Sequence, residues 1–227
     1  KHVAENMFVP IREDGVIEQF EGYEQLREFD WDGYRQEHGD VQRLDRILEA
    51  EGDDVNRYKA SKQADVLMLF YLFSAEELQA RFARMGYDFR PEWIATNIDY
   101  YNHRTSHGST LSRVVHSWVL ARSDRERSWR LFEQALESDV ADIQGGTASE
   151  GIHLGAMAGT VDLVQRCYTG IEMRDDVLWF NPCLPDPLNN IHFQLRYRSV
   201  WIAVELAVDT LRLTIDRNRN EPVEIGF

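Results

Sequence analysis

Cysteine is nearly missing: Cys167 and Cys183 are the only two in 227 residues, and they form no CxxC pair. Disulfides are therefore not what organises this chain, and the usage suits a reducing, cytoplasmic compartment. Positive charge is also in deficit, with 25 Lys and Arg against 39 Asp and Glu and a formal net charge of −14. That balance argues against a general nucleic-acid surface and against binding to anionic membranes. It leaves room for a small anion site, which depends on local donors. No apolar run reaches the length of a bilayer span, and no signal peptide is visible. HExxH and GxSxG are both absent, which argues against a zinc hydrolase and a serine hydrolase elbow.

Apolar residues make up 43% of the chain and aromatics 11%, enough for a sizeable core in one large domain or two small ones. The chain begins at Lys1 without Met and stops at Phe227 soon after a strand-like stretch, as a piece of a longer protein would.

The stretch from Tyr100 to Ser112 (YYNHRTSHGSTLS) gathers His103, Arg104, Thr105, Ser106, His107, Gly108, Ser109 and Thr110 ahead of an apolar helical pattern. Small hydroxyl residues and Gly before a helix leave backbone N–H groups free to face an anion, and Arg and His add charge-assisted donors. The plain alternative is a polar loop with a Ser/Thr cap. The composition suits a phosphate-sized oxyanion without specifying a reaction.

Residues 1–60 carry sixteen Asp/Glu against eight Lys/Arg, interleaved with Phe20, Tyr23, Phe29, Trp31 and Tyr34. This reads either as a solvated irregular segment or as sugar-binding loops, where a flat sugar face stacks and its hydroxyls meet carboxylates. A helix is expected over Val41–Ala50, with Leu44, Ile47 and Leu48 inward and its end near Gly52. Lys62–Phe73 is almost wholly apolar after Asp65, the mark of a buried helix, which sets Lys62 at the mouth of a core. Lys62 then either pairs with Asp65 or faces a ligand.

Ser74 to Glu77 and Ser123 to Glu126 read as capping boxes. Pro91 suits a helix start. Leu111, Val114, Val115, Trp118 and Val119 form a helical stripe, with His116 off it, at the surface or between helices. Trp129, Phe132, Ala135 and Leu136 mark the buried face of the next helix, expected to run antiparallel to its neighbour. Gln144 to His153 is a second loop rich in Gly and small polar residues. The helix after it has Leu154, Met157, Ala158, Val161 and Val164 on one face, with Glu150 and His153 at its start. Glu150 is either a dipole-favoured first-turn carboxylate or functional, and His153 either its partner or functional. Beyond Gly170 the period falls to two: Ile191, Phe193, Leu195 and Tyr197 alternate with polar residues, and further strands follow at 200–208, 211–215 and 223–225.

Two donor-rich loops at helix starts, beside an acidic aromatic segment, suggest a sugar and a phosphate used together. Cleaving a glycosidic bond needs an acid to protonate the leaving oxygen. Phosphate as nucleophile is already anionic, so donors would take the place of a basic carboxylate.

Several segments, in order along nearly the whole chain, resemble glycoside hydrolase family 65. They are Lys62-Gln63-Ala64-Asp65-Val66, the Arg104-to-Ser109 loop, Gly145-Gly146-Thr147 with Glu150 to Met157, and Met173 to Pro185. Gln19 to Tyr23 is similar to the family's segment shortly after its catalytic acid. The resemblance implies a mainly α fold, the second half of an (α/α)6 toroid over residues 1–172, followed by the start of a C-terminal antiparallel β-sandwich over 173–227. It implies phosphorolysis with inversion of an α-linked glucose disaccharide such as trehalose, kojibiose or maltose, giving β-glucose 1-phosphate. A trehalase-like hydrolase on the same fold and a non-catalytic carbohydrate-binding module are the alternatives. Lys62 and Gln63 would hold the glucosyl unit. Ser106, His107, Gly108 and Ser109 would form the phosphate loop with His153, while Glu150 would activate water or orient His153. The family's general-acid Glu, in an Asp-Glu-Tyr segment, has no counterpart here, so the chain alone is expected not to turn over substrate. Inorganic phosphate is the co-substrate, no cofactor or metal is expected, and the partners are the disaccharide, the missing N-terminal part and a second copy in a homodimer.

Overall fold

The structure, a computed structural model, describes residues 2–143, 146, 148–215 and 222–227, the side chains at 4 and 150 excepted. The helices are α1 (His2–Glu5), α2 (Trp31–His38), α3 (Leu44–Ala50), α4 (Leu67–Leu72), α5 (Ala75–Arg84), α6 (Glu92–Asn102), α7 (Thr110–Leu120), α8 (Arg125–Glu137) and α9 (Leu154–Asp162), the last continued by a π turn over Leu163–Cys167. Among the described residues no helix is long and apolar enough to cross a membrane.

Local chemistry sets several of the boundaries. Ser74 and Glu77 exchange side-chain and backbone bonds in a full capping box, and α5 stops before Gly86, whose φ of 87° suits Gly. The second expected box does not form: Asp124 caps α8 by accepting from the Arg127 N–H at 3.0 Å. A carboxylate is a strong cap, and taking that position places Ser123 outside the helix. The buried helix expected over Lys62–Phe73 is only the six residues of α4, preceded by a turn, and Leu72 is exposed.

Helix α7 is the hub of the helical part. Val114, Val115, His116 and Ser117 are all fully buried, so its polar face is covered along with the apolar stripe. Helix α8 runs antiparallel to it: the Ser117 and Ser128 hydroxyls each donate to the other's carbonyl (2.9 and 2.7 Å), and Arg113 Nε donates to Gln134 Oε1 (3.3 Å). Leu136, expected inside, is exposed, while Ser128 and Leu131 are buried. Helix α9 runs in the same direction as α7, since Gly159 abuts Val114 and, further on, the Cys167 thiol reaches the Trp118 carbonyl. Helix α4 follows that direction too: Lys62, ahead of it, lies against Gly108, and the Tyr71 ring sits 4.7 Å from that of Trp118. The Tyr71 hydroxyl donates to Asp162 at 3.0 Å and ties the far ends of α4 and α9 together. The starts of α4, α7 and α9 therefore share one end of the molecule.

The face of α9 read from sequence as buried is packed only in part, at Met157 and Val164. Leu154, Ala158 and Val161 are exposed, whereas Ala156, Gly159 and Thr160 are buried. Small residues let α9 approach α7 closely; a Cβ on Gly159 would come within 2.6 Å of Val114.

The β part begins at Gly170, whose left-handed φ of 63° admits the Asn181 backbone beside it. Arg122 clamps the same segment by donating to the Asn181 carbonyl at 2.7 Å. Two three-stranded sheets follow, formed by β1 (Glu172–Arg174), β2 (Val177–Trp179), β3 (Asn190–Tyr197), β4 (Val200–Ala207), β5 (Leu211–Ile215) and β6 (Ile225–Gly226). One sheet is β1-β2-β6, with β6 parallel to β2, and the other is the antiparallel meander β3-β4-β5. The expected alternation in β3 holds, with Ile191 and Tyr197 buried and His192, Gln194 and Arg196 exposed. Leu178, Phe180, Tyr197, Ile202 and Val204 form the core of this part.

Candidate functional site

The site is built from the segments that precede α4, α7 and α9. The loop ahead of α7 is pinned to the turn ahead of α4 by backbone bonds, with Ser61 N–H donating to Arg104 O (2.8 Å) and Ser106 N–H to Ser61 O (2.9 Å). Gln19 fastens the same turn by donating to Ser61 Oγ (2.6 Å) and accepting from the Asp65 N–H (3.1 Å). The acidic aromatic segment thus reaches the site through an uncharged amide.

Lys62 is exposed, and its stem packs against Gly108. Among the described residues no carboxylate lies within ion-pair distance of its ammonium, so pairing with Asp65 is not what holds it. Gln63 is half-buried beside it. Gly108 is seated under a backbone carbonyl: a Cβ there would stand 2.4 Å from Gln42 O and 2.9 Å from Lys62 Cγ. Ser106 is buried and donates through Oγ to the same Gln42 O at 3.4 Å. Ser109 occupies the N-cap position of α7 in extended conformation.

The charged members of this loop turn elsewhere. Arg104 is bidentate to Glu28 (3.1 and 3.2 Å) and lies over the Tyr100 ring, and His103 is exposed and bonded to the Asp99 carbonyl. His107 has a φ of 56° and points inward, with Nδ1 3.0 Å from Ser112 Oγ and its ring 4.5 Å from that of His116. Burial, and then the nearby Arg113, push the His107 imidazole down to about 4, so at neutral pH it is an uncharged ring. His116 is fully buried between helices, with Nδ1 bonded to Asn102 Oδ1 (2.7 Å) and Nε2 unpartnered, and burial holds it uncharged as well.

His153, at the N-cap position of α9, is held by Asp139. Asp139 accepts from the His153 backbone N–H (2.9 Å) and from its ring Nδ1 (2.5 Å). A carboxylate only accepts, so Nδ1 carries the proton and Nε2 faces away. The same hydrogen bond is the main influence that lowers the Asp139 carboxyl from its ordinary value. Asp139 follows α8, whose C-terminal end lies beside the start of α7, so His153 and the Ser106–Ser109 loop belong to one end of the molecule. In the second loop the Asp142 carboxylate accepts from the N–H groups of Gly146 (2.7 Å) and Ala148 (3.1 Å). Gln144, Gly145 and Thr147 lie outside the described residues, as does the side chain of Glu150, whose backbone is in a short 3-10 turn.

Sequence reasoning missed Asp139, Gln42 and Arg113. Asp139 and Gln42 stand far along the chain from what they touch, and Arg113 reads as an ordinary helix residue. Only Gln19 carried a signal, within the Gln19-to-Tyr23 stretch.

The helices that start together behind donor-rich loops, followed by a small β unit, set an α-helical part ahead of a β part. Residues 1–162 match the glycosyl hydrolase family 65 central catalytic domain and residues 171–226 the glycosyl hydrolase family 65 C-terminal domain. The chain belongs to glycosyl hydrolase family 65. It is 54% identical over 223 residues to an uncharacterized glycosyl hydrolase of Mycobacterium tuberculosis (strain H37Rv), which covers 98% of this chain and 17% of that protein. It is 34% identical over 213 residues to the trehalose 6-phosphate phosphorylase of Lactococcus lactis, covering 93% of this chain and 28% of the relative. The kojibiose phosphorylase of Halothermothrix orenii is 28% identical, with 94% of this chain and 25% of that one covered. A solved structure from the human microbiome, described as a putative kojibiose phosphorylase, shares the fold with a TM-score of 0.74 at 22% identity, over 96% of this chain and 28% of that one. The chain thus spans less than a third of the length of each of these relatives.

Proposed function

We propose that this chain is the C-terminal part of an inverting α-glucoside phosphorylase, with α4, α7 and α9 as inner helices of an (α/α)6 toroid. The observation that carries this reading is the convergence at one end of Lys62, the Ser106–Ser109 loop and His153. Lys62 and Gln63 hold the glucosyl unit. Phosphate takes donors from Ser106, Gly108, Ser109 and His153 Nε2, and attacks the anomeric carbon as a Glu elsewhere in the complete protein protonates the bridging oxygen. The C–O bond to the second glucose breaks and β-glucose 1-phosphate forms. His107 supports the loop from inside as a neutral ring, which differs from the donor role its position in the motif implies. The exposed Leu154, Ala158 and Val161 face of α9 suits contact with a further inner helix.

A hydrolase on the same fold is the second reading. The Asp139–His153 couple favours it, because a His oriented by a carboxylate can activate water as readily as it can bind an anion. The two readings separate on the complete protein supplied with trehalose, trehalose 6-phosphate, kojibiose and maltose. Release of β-glucose 1-phosphate that stops when phosphate is withheld supports phosphorolysis; equal glucose release in phosphate-free buffer rejects it.

A further inference from the structure

Arg113, in the first turn of α7, is 3% exposed and meets no carboxylate at ion-pair distance among the described residues. Its partners are two neutral amide oxygens, Gln42 Oε1 at 2.7 Å and Gln134 Oε1 at 3.3 Å, and one terminal nitrogen has no partner at all. Asp40 lies beyond ion-pair distance and acts on it by its charge and through Gln42, whose side-chain amide donates to Asp40 at 3.2 Å. A buried guanidinium normally sits in a bidentate carboxylate pair, because an uncompensated charge away from water is costly. Here the cost is tolerated beside the candidate anion loop: Gln42, which Arg113 holds by its side chain, offers its carbonyl to Ser106 and roofs Gly108.

A cation close to the loop would favour a phosphate dianion there. Arg104 is engaged with Glu28, and His107 and His116 are uncharged at neutral pH. Of the other cations, Lys62 packs against Gly108 and Arg113 holds Gln42, while Arg127 and Arg35 also act on His107 through their charge.

Building on the phosphate reading of this site, we infer that Arg113 is a positioning residue whose buried charge sets the positive potential that draws phosphate to the Ser106–Ser109 loop. It acts through the low-dielectric interior and through Gln42, without touching the anion, and the bound phosphate offsets a charge the protein otherwise leaves unpaired.

The test measures stability and phosphate affinity together, on the full chain, for R113M and R113K. Calorimetric titration with inorganic phosphate should show R113M binding at least about tenfold more weakly, with R113K recovering most of the affinity. Unfolding of R113M without phosphate should occur at the same or higher denaturant concentration, since an unpaired buried charge is replaced by apolar volume and both Gln side chains can turn to water. Unchanged phosphate affinity in R113M overturns the inference while leaving the phosphate reading standing. So does an R113M chain that is less stable or unfolded, the signature of a structural anchor. Failure of the unaltered chain to bind phosphate overturns both.

Discussion

Adding one methyl group at Gly108 should disturb the candidate site more than its size suggests. A Cβ there lands 2.4 Å from the Gln42 carbonyl oxygen, about 1 Å inside ordinary contact, and 2.9 Å from Lys62 Cγ. The exposed Lys62 can swing aside cheaply. Gln42 cannot, because its carbonyl accepts from Ser106 and its side chain is tied to Arg113 and Asp40. The relief must come from the loop backbone, so G108A should cost about 1–3 kcal/mol, the usual range for forced overpacking. In a chain of 227 residues that corresponds to a midpoint lower by roughly 2–12 °C. Gly155 supplies the control: it lies in α9, and a methyl added there would meet nothing within 4 Å, so G155A should be neutral or stabilising by up to about 1 kcal/mol. Urea denaturation of both variants beside the unaltered chain reads the difference. If G108A unfolds with G155A or above it, the packing of the loop under Gln42 is wrong.

Acid should loosen the same region. His107 holds about 4 in the folded chain against about 6.5 unfolded, so the unfolded state takes up the proton first. Its contribution, about 3 kcal/mol at about 1.36 kcal/mol per pH unit, is fully present above pH 6.5 and is lost as pH falls toward 4. Between about pH 7.5 and about pH 4.5, the unaltered chain should therefore lose about 2 kcal/mol more than H107N in urea denaturation; equal losses would count against an inward, neutral His107. At α8, D124A should cost about 1 kcal/mol and S123A almost nothing, and the reverse order would restore Ser123 as the cap. For Asp139, D139N should weaken phosphate binding by freeing the His153 ring to turn, detectable as altered His153 ring signals by NMR; an unmoved ring would mean that the helix start alone positions it.

The sequence was informative wherever the deciding chemistry is local. Ser74 with Glu77 set a helix start, and the alternation from Ile191 to Tyr197 set a strand and its inward face. The turns that organise the sheets were less visible. Arg198-Ser199 and Asp175-Asp176 take positive φ values without Gly or Asn, so the β1-β2 hairpin left only the weaker turn signal of Asp. Periodicity identified α9 and put its apolar stripe inward, but Gly159 against Val114 decides which face packs within this chain. At the site, the type and order of Lys62, Ser106, Gly108, Ser109 and His153 were legible. The carboxylate that orients His153 and the amide that roofs Gly108 were not, because both are brought in by tertiary packing.

Whether the Ser106–Ser109 loop and His153 grip one and the same phosphate is decided by a double-mutant cycle in phosphate affinity, using S109A, H153A and the two combined. Each single change should weaken binding, and the pair should be coupled, the double variant losing less than the product of the single losses. Independent effects, or a phosphate affinity indifferent to either change, would contradict a shared anion site.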